Sequence, residues 1–190
     1  MTNAFNRQRP SILASSLRFT LAMPTTVNSA AIFSRLQQRL AEQPVVLATV
    51  TAAQRQAYIG RKLLIWGDAQ IYGSLGSSAI DRAAIKLAFS VLKTGIGQRI
   101  ILDGSNAGNG DFSPAPAAEP ISLWLGLWQG SSAIATAQQI VTALESDRAA
   151  QLVIPLVTGQ APYVRAMHGE TAGSLRNLQG QDAYIEELVN

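Results

Sequence analysis

The sequence predicts a layered α/β (α+β) fold, built as two related strand–hairpin–helix lobes with mixed sheet. Three observations predict it. An apolar run, a Gly-acid turn and a Gly-Ser-Leu close occur at 62–75 (KLLIWGDAQIYGSL), and again about a hundred residues later at 164–175 (VRAMHGETAGSL). The segments upstream of each copy also correspond, 44–50 (PVVLATV) with 151–157 (QLVIPLV). In both halves, amphipathic helical stretches alternate with short apolar runs, which is the pattern of layered helices and sheets. The spacing of the copies exceeds the ~20–50 residues of a solenoid repeat, so duplication of a lobe explains it better than an array.

In chain order, residues 1–28 carry no helical periodicity and are rich in Ser, Thr, Asn and Arg; they read as a disordered or leader extension. Asn28 or Ser29 then caps a helix reaching about Gln43, with Ile32, Phe33, Leu36 and Leu40 on one face, and Pro44 stops it. Val45 to Thr51 is a buried strand, and Ala52 to Ile59 a polar connection. Lys62–Trp66 and Gln70–Tyr72 form a hairpin about Gly67-Asp68, where glycine in first place favours a type II′ turn.

Gly73-Ser74-Leu75-Gly76 bends the chain into a second helix. Ser78 is its expected N-cap, with Asp81 three residues on as the return partner of a capping box, and Gly95 its left-handed C-cap. Arg99–Leu102 is a strand, and 105–120, with its glycines and prolines, is the linker. The boundaries that follow are lobe 1 at 29–104 and lobe 2 at 121–190. In lobe 2, Ile121–Trp128 is a strand, and Ser131 or Ser132 caps a helix to about Asp147. Gln151–Thr158 is a strand that Pro155 pushes towards an edge or a bulge. Tyr163–Met167 enters the second hairpin, and Asp182–Leu188 forms a short final helix with Tyr184, Ile185 and Leu188 on one side.

Composition narrows the chemistry. A chain of 190 residues buries roughly 70% of its unfolded surface and folds without staples. It has no cysteine, which rules out disulfides, a thiol nucleophile and Cys-ligated zinc or iron–sulfur. The net charge of +3 is matched by Arg7, Arg9 and Arg18 near the start, leaving the remainder near neutral, so no nucleic-acid partner is expected. The uncharged stretch from Pro120 to Leu144 is broken by Ser, Gln and Gly, so no membrane partner is expected either.

No nucleophile–base–acid arrangement can be assembled locally, and no catalytic or metal-binding residue is assigned. His168, the single histidine, stands where the repeat has Trp66 and flanks a turn. Residues 104–111 (GSNAGNGD) lack dinucleotide-loop spacing. Trp124 and Trp128 are four apart on a strand and share one side, as core packing or as a partner's anchor.

The best binding candidate is the bend Gly73, Ser74, Gly76, Ser77 and Ser78. Small residues before a helix N-terminus can leave backbone amides open to an anion, and Lys62 and Arg61 on the preceding hairpin strand can add a cation if they point the same way. The same residues also suit a tight turn and a serine cap with no ligand.

Three segments, 44–50, 60–65 (GRKLLI) and 73–81 (GSLGSSAID), resemble the N-terminal domain of the XdhC/CoxI family. Those proteins are accessory factors for xanthine dehydrogenase and carbon monoxide dehydrogenase. The resemblance implies a cytoplasmic, non-catalytic factor that binds molybdenum cofactor (molybdopterin) and delivers it to a molybdoenzyme apo-protein, with a homodimer as a further possible partner. Two features depart from the family. Its common Gly-Gly-Cys element is replaced by Gly76-Ser77-Ser78, and its common C-terminal Rossmann domain does not follow before Asn190. The alternative is a protein–protein interaction module without a small-molecule ligand.

Overall fold

The structure, a computed structural model, describes residues 28–67, 69–102, 119–146, 150–166 and 183–188. Helix α1 (Ser29–Leu40) starts where the Asn28 side chain accepts a hydrogen bond from the Ala30 amide, and it buries Ile32, Phe33, Leu36 and Leu40. Strand β1 (Val45–Ala53) is apolar on both sides because both sides are covered. Val45 and Leu47 face one core, while Val46, Ala48 and Val50 face another.

After a 3-10 turn at Gln56–Tyr58 come β2 (Lys62–Trp66) and β3 (Gln70–Gly73). Helix α2 (Ser78–Thr94) ends as its glycine predicts, with Gly95 at φ +75° donating to the Val91 carbonyl. The remaining elements are β4 (Gln98–Leu102), β5 (Ile121–Trp128), α3 (Gly130–Glu145), β6 (Ala150–Pro155), β7 (Tyr163–Ala166) and β8 (Ala183–Leu188).

The strands form two sheets, one ordered β3-β2-β1-β5-β4 and one ordered β7-β6-β8. Helix α2 covers one face of the larger sheet, closing a core of Ala84, Ala88 and Val91 over Leu63, Ile65, Leu123 and Leu125. The opposite face shares a second core with α1, α3 and the smaller sheet, containing Phe33, Leu36, Trp124, Trp128, Ile140, Leu152 and Leu188. The two apolar runs that correspond in sequence take equivalent places: β1 lies between β2 and β5, and β6 between β7 and β8.

The α/β class holds, with several corrections of detail. Every recorded strand pairing is antiparallel, so the sheets are not mixed. The final segment is strand β8, not a helix. Six residues are too few for helical propensity to decide, and pairing along all of β6, from Ala150–Leu188 to Pro155–Ala183, wins. Strand β6 is central, and Pro155 is tolerated because it is the strand's last residue.

Helix α3 begins two or three residues earlier than its serines suggest, after Gln129, which makes no side-chain cap. The β2–β3 loop has three residues between paired Trp66 and Gln70, with Ala69 left-handed at φ +59°, so it is not a two-residue type II′ turn. Strand β5, assigned by sequence to lobe 2, is hydrogen-bonded between β1 and β4 in the first sheet. Nearly all of the 105–120 linker, the 1–28 extension apart from Asn28, and the second Gly-acid turn at 169–170 lie outside the described residues.

Candidate functional site

The bend is fixed by what surrounds its glycines. Gly73 has φ +96°, and a Cβ there would lie 2.5 Å from the Lys62 carbonyl oxygen and 2.7 Å from Ile32 Cδ1. Gly76 has φ +114°, and a Cβ would lie 2.2 Å from Tyr58 Cε1 and 2.7 Å from Arg61 Nη1. Both contacts are far inside van der Waals distance, so only glycine fits. The Arg61 guanidinium stands 4.9 Å from the Tyr58 ring centroid, and its Nε donates to the Ala57 carbonyl at 2.9 Å. Together these two side chains cover Gly76.

Within the bend, polar groups are paired with one another. The Leu75 amide donates to Asp81 Oδ1 at 2.7 Å, and Ser74 Oγ donates to Asp81 Oδ2 at 2.8 Å. The Gly76 amide donates to Ser74 Oγ at 3.1 Å. Ser77, not Ser78, is the N-cap of α2, its Oγ accepting from the Ile80 amide at 3.3 Å. Ser78 is the exposed first residue of the helix. The capping-box expectation for Asp81 is therefore corrected: its carboxylate reaches past the cap to the bend, and the residue is only 9% exposed.

Lys62 stands apart from this arrangement. Its side chain points to the core shared with the smaller sheet and is buried. There Nζ pairs with Glu186 of β8 at 2.5 Å, donates to the Gly60 carbonyl at 2.8 Å and lies 5.7 Å from the Phe33 ring centroid. Glu186 also accepts from Ser29 Oγ at 3.3 Å. Beside it, burial and then the Glu186 charge push the Tyr184 phenol well above its ordinary pKa.

The structure thus brings Gly73, Ser74, Gly76 and Ser77 together but turns Lys62 away to a different partner. Of the two cations expected at the bend, Arg61 reaches it and Lys62 does not. The residues that sequence reasoning missed are Asp81 as the bend's occupant, Tyr58 as part of its cover, and Glu186 as the partner of Lys62. Only Asp81 left a signal, as an acid close behind a run of serines.

Trp124 and Trp128 are core residues, 6% and 1% exposed, so they are not a partner's anchor. His168 and residues 104–111 lie outside the described residues. Among the described residues no cluster of three or more His, Cys, Asp or Glu could hold a metal ion, and no helix is long and apolar enough to cross a membrane.

Comparison with known proteins falls on this part of the chain. Residues 38–102 match the XdhC and CoxI family. The matched XdhC/CoxI segment runs from the end of α1 through β4, and so contains the whole bend. By fold, the chain is similar to a crystal structure titled a xanthine dehydrogenase from Bacillus halodurans, with a TM-score of 0.59 and 15% identity. The likeness covers 83% of this chain and 52% of that one, so this chain spans about half of its structural relative. No curated protein matches by sequence.

A molybdopterin phosphate held at the bend would need open amides. Those of Leu75 and Gly76 are taken by Asp81 and Ser74, and Lys62 is taken by Glu186. At Leu75, Gly76 and Lys62, the donors as arranged do not fit that group.

Proposed function

We propose that this chain is a cytoplasmic, non-catalytic accessory protein in the maturation of a molybdenum hydroxylase such as xanthine dehydrogenase. The observation that carries the reading is the XdhC and CoxI match across residues 38–102. Non-catalytic action suits the chemistry of the described residues, where Asp81, Lys62 and Glu186 are engaged in holding the fold.

The role has two arms, carriage of molybdenum cofactor and contact with the apo-enzyme. The geometry favours the second, because the bend expected to receive the cofactor is internally paired. Helix α2 offers a surface for such contact. Phe89 is 42% exposed and lies between Lys86 and Lys93 at helical spacings of three and four. An exposed aromatic flanked by cations suits an acidic rim around an apolar pocket on a client protein.

The test uses purified apo and cofactor-loaded xanthine dehydrogenase immobilised separately. Selective retention of this chain by the apo form, weakened by Phe89→Asp, is the expected result. Equal failure on both forms removes the client arm. Released pterin fluorescence after denaturing the chain, purified from a cofactor-replete host, would restore the carriage arm.

A further inference from the structure

We propose that the glycine–serine bend is an internally liganded joint, in which the Asp81 carboxylate occupies the position an external anion would take. The inference bears on where ligands do not bind, and its test does not depend on the client-protein reading.

The geometry is that of anion recognition satisfied within the chain. One carboxylate oxygen accepts from the Leu75 amide at 2.7 Å and the other from the Ser74 hydroxyl at 2.8 Å. Ser74 Oγ in turn accepts from the Gly76 amide, so the hydroxyl relays the carboxylate to a second backbone donor. The Leu75 distance is in the short range of charge-assisted hydrogen bonds, and the Ser74 distance is that of an ordinary hydroxyl bond. Because Asp81 is fixed to the first turns of α2, it competes from a high effective concentration that a free anion must overcome. A phosphate brought to the same amides would also place its charge against that of the carboxylate.

Space argues the same way. Leu75 is fully buried under α2, and the side of Gly76 where a Cβ would project is filled by Tyr58 and Arg61. The glycines of the bend are thus accounted for by close approach of the chain's own groups. No ligand is needed to explain them.

The full chain is tested by amide hydrogen exchange and by titration with inorganic phosphate and with molybdate, read at the Leu75 and Gly76 backbone resonances. Slow exchange at both amides and unmoved resonances at millimolar anion are the expected results. Asp81→Ala should speed exchange at Leu75 roughly tenfold relative to the neighbouring core amides. Asp81→Asn, which retains an acceptor oxygen of the same shape, should keep most of the protection and serves where the alanine variant does not fold. Saturable movement of the Leu75 and Gly76 resonances by either anion in the unsubstituted protein overturns the proposal. So does unchanged Leu75 exchange in a folded Asp81→Ala protein. Failure here would leave client binding untouched, and failure of client binding would leave this joint intact.

Discussion

Gly76 and Lys62 show how much a single position can hold. Gly76→Ala places a methyl group on the Tyr58 ring at a left-handed φ, two penalties at once. A loss of roughly 2–4 kcal/mol is expected in urea denaturation, while Gly95→Ala, with nothing near its Cβ, should cost only the backbone strain, about 1 kcal/mol. Lys62→Met strands the Glu186 carboxylate in an apolar setting, and about 3–5 kcal/mol of destabilisation is expected. The double replacement Lys62→Met with Glu186→Leu should recover most of that loss, since two apolar groups of similar volume need no partner. A double variant as unstable as the single one would show that the pair is not what Lys62 contributes.

Tyr184 supplies a pH prediction. Its folded pKa lies above the unfolded value of about 10, so the folded form retains the proton longer. Stability from this group is full below about pH 10 and declines as pH rises beyond it, because the unfolded chain then releases the proton more readily. The midpoint of urea unfolding should fall above that pH, and Tyr184→Phe should flatten the fall. At this scale the sequence was only partly readable. The need for glycine in the bend could be seen, but the choice between a ligand and Asp81 depended on where a side chain six residues ahead of Leu75 would point.

Among the elements, those set by local signals were legible and those set by distant partners were not. Helix α2 was bounded by a glycine that acts on its own neighbours and by a serine, though Ser77 and not the expected Ser78. Helix α1 was bounded by Asn28, although it ends at Leu40, short of the expected Gln43 and of Pro44. Strand β8 had no such markers. Tyr184, Ile185 and Leu188 can share a helix face, whereas in the strand Tyr184, Glu186 and Leu188 face the core together, and only β6 decides between them. Helix α3 carries an unused opportunity for stabilisation. Its N-cap Gln129 makes no side-chain bond, so Gln129→Asp or Gln129→Ser should add about 1 kcal/mol, read as a raised thermal midpoint. No gain would mean that the first-turn amides of α3 are already satisfied by other groups.

For the molecule as a whole, the described strands form two sheets, with β1 inside one and β6 inside the other, the two runs that correspond in the sequence repeat. The repeat did not reveal that β5 would cross the expected boundary to complete the first sheet. Nothing local marks that choice: β5 is apolar on both faces, and its neighbours β1 and β4 come from the other side of the 105–120 segment. The consequence reaches to synthesis. As the nascent chain leaves the ribosome, β1, β2 and α2 emerge well before β5, and β1 meanwhile presents an open, apolar hydrogen-bonding flank. Newly made chains halted ahead of Ile121 should therefore be sticky and protease-sensitive, and should become resistant once translation has passed Trp128.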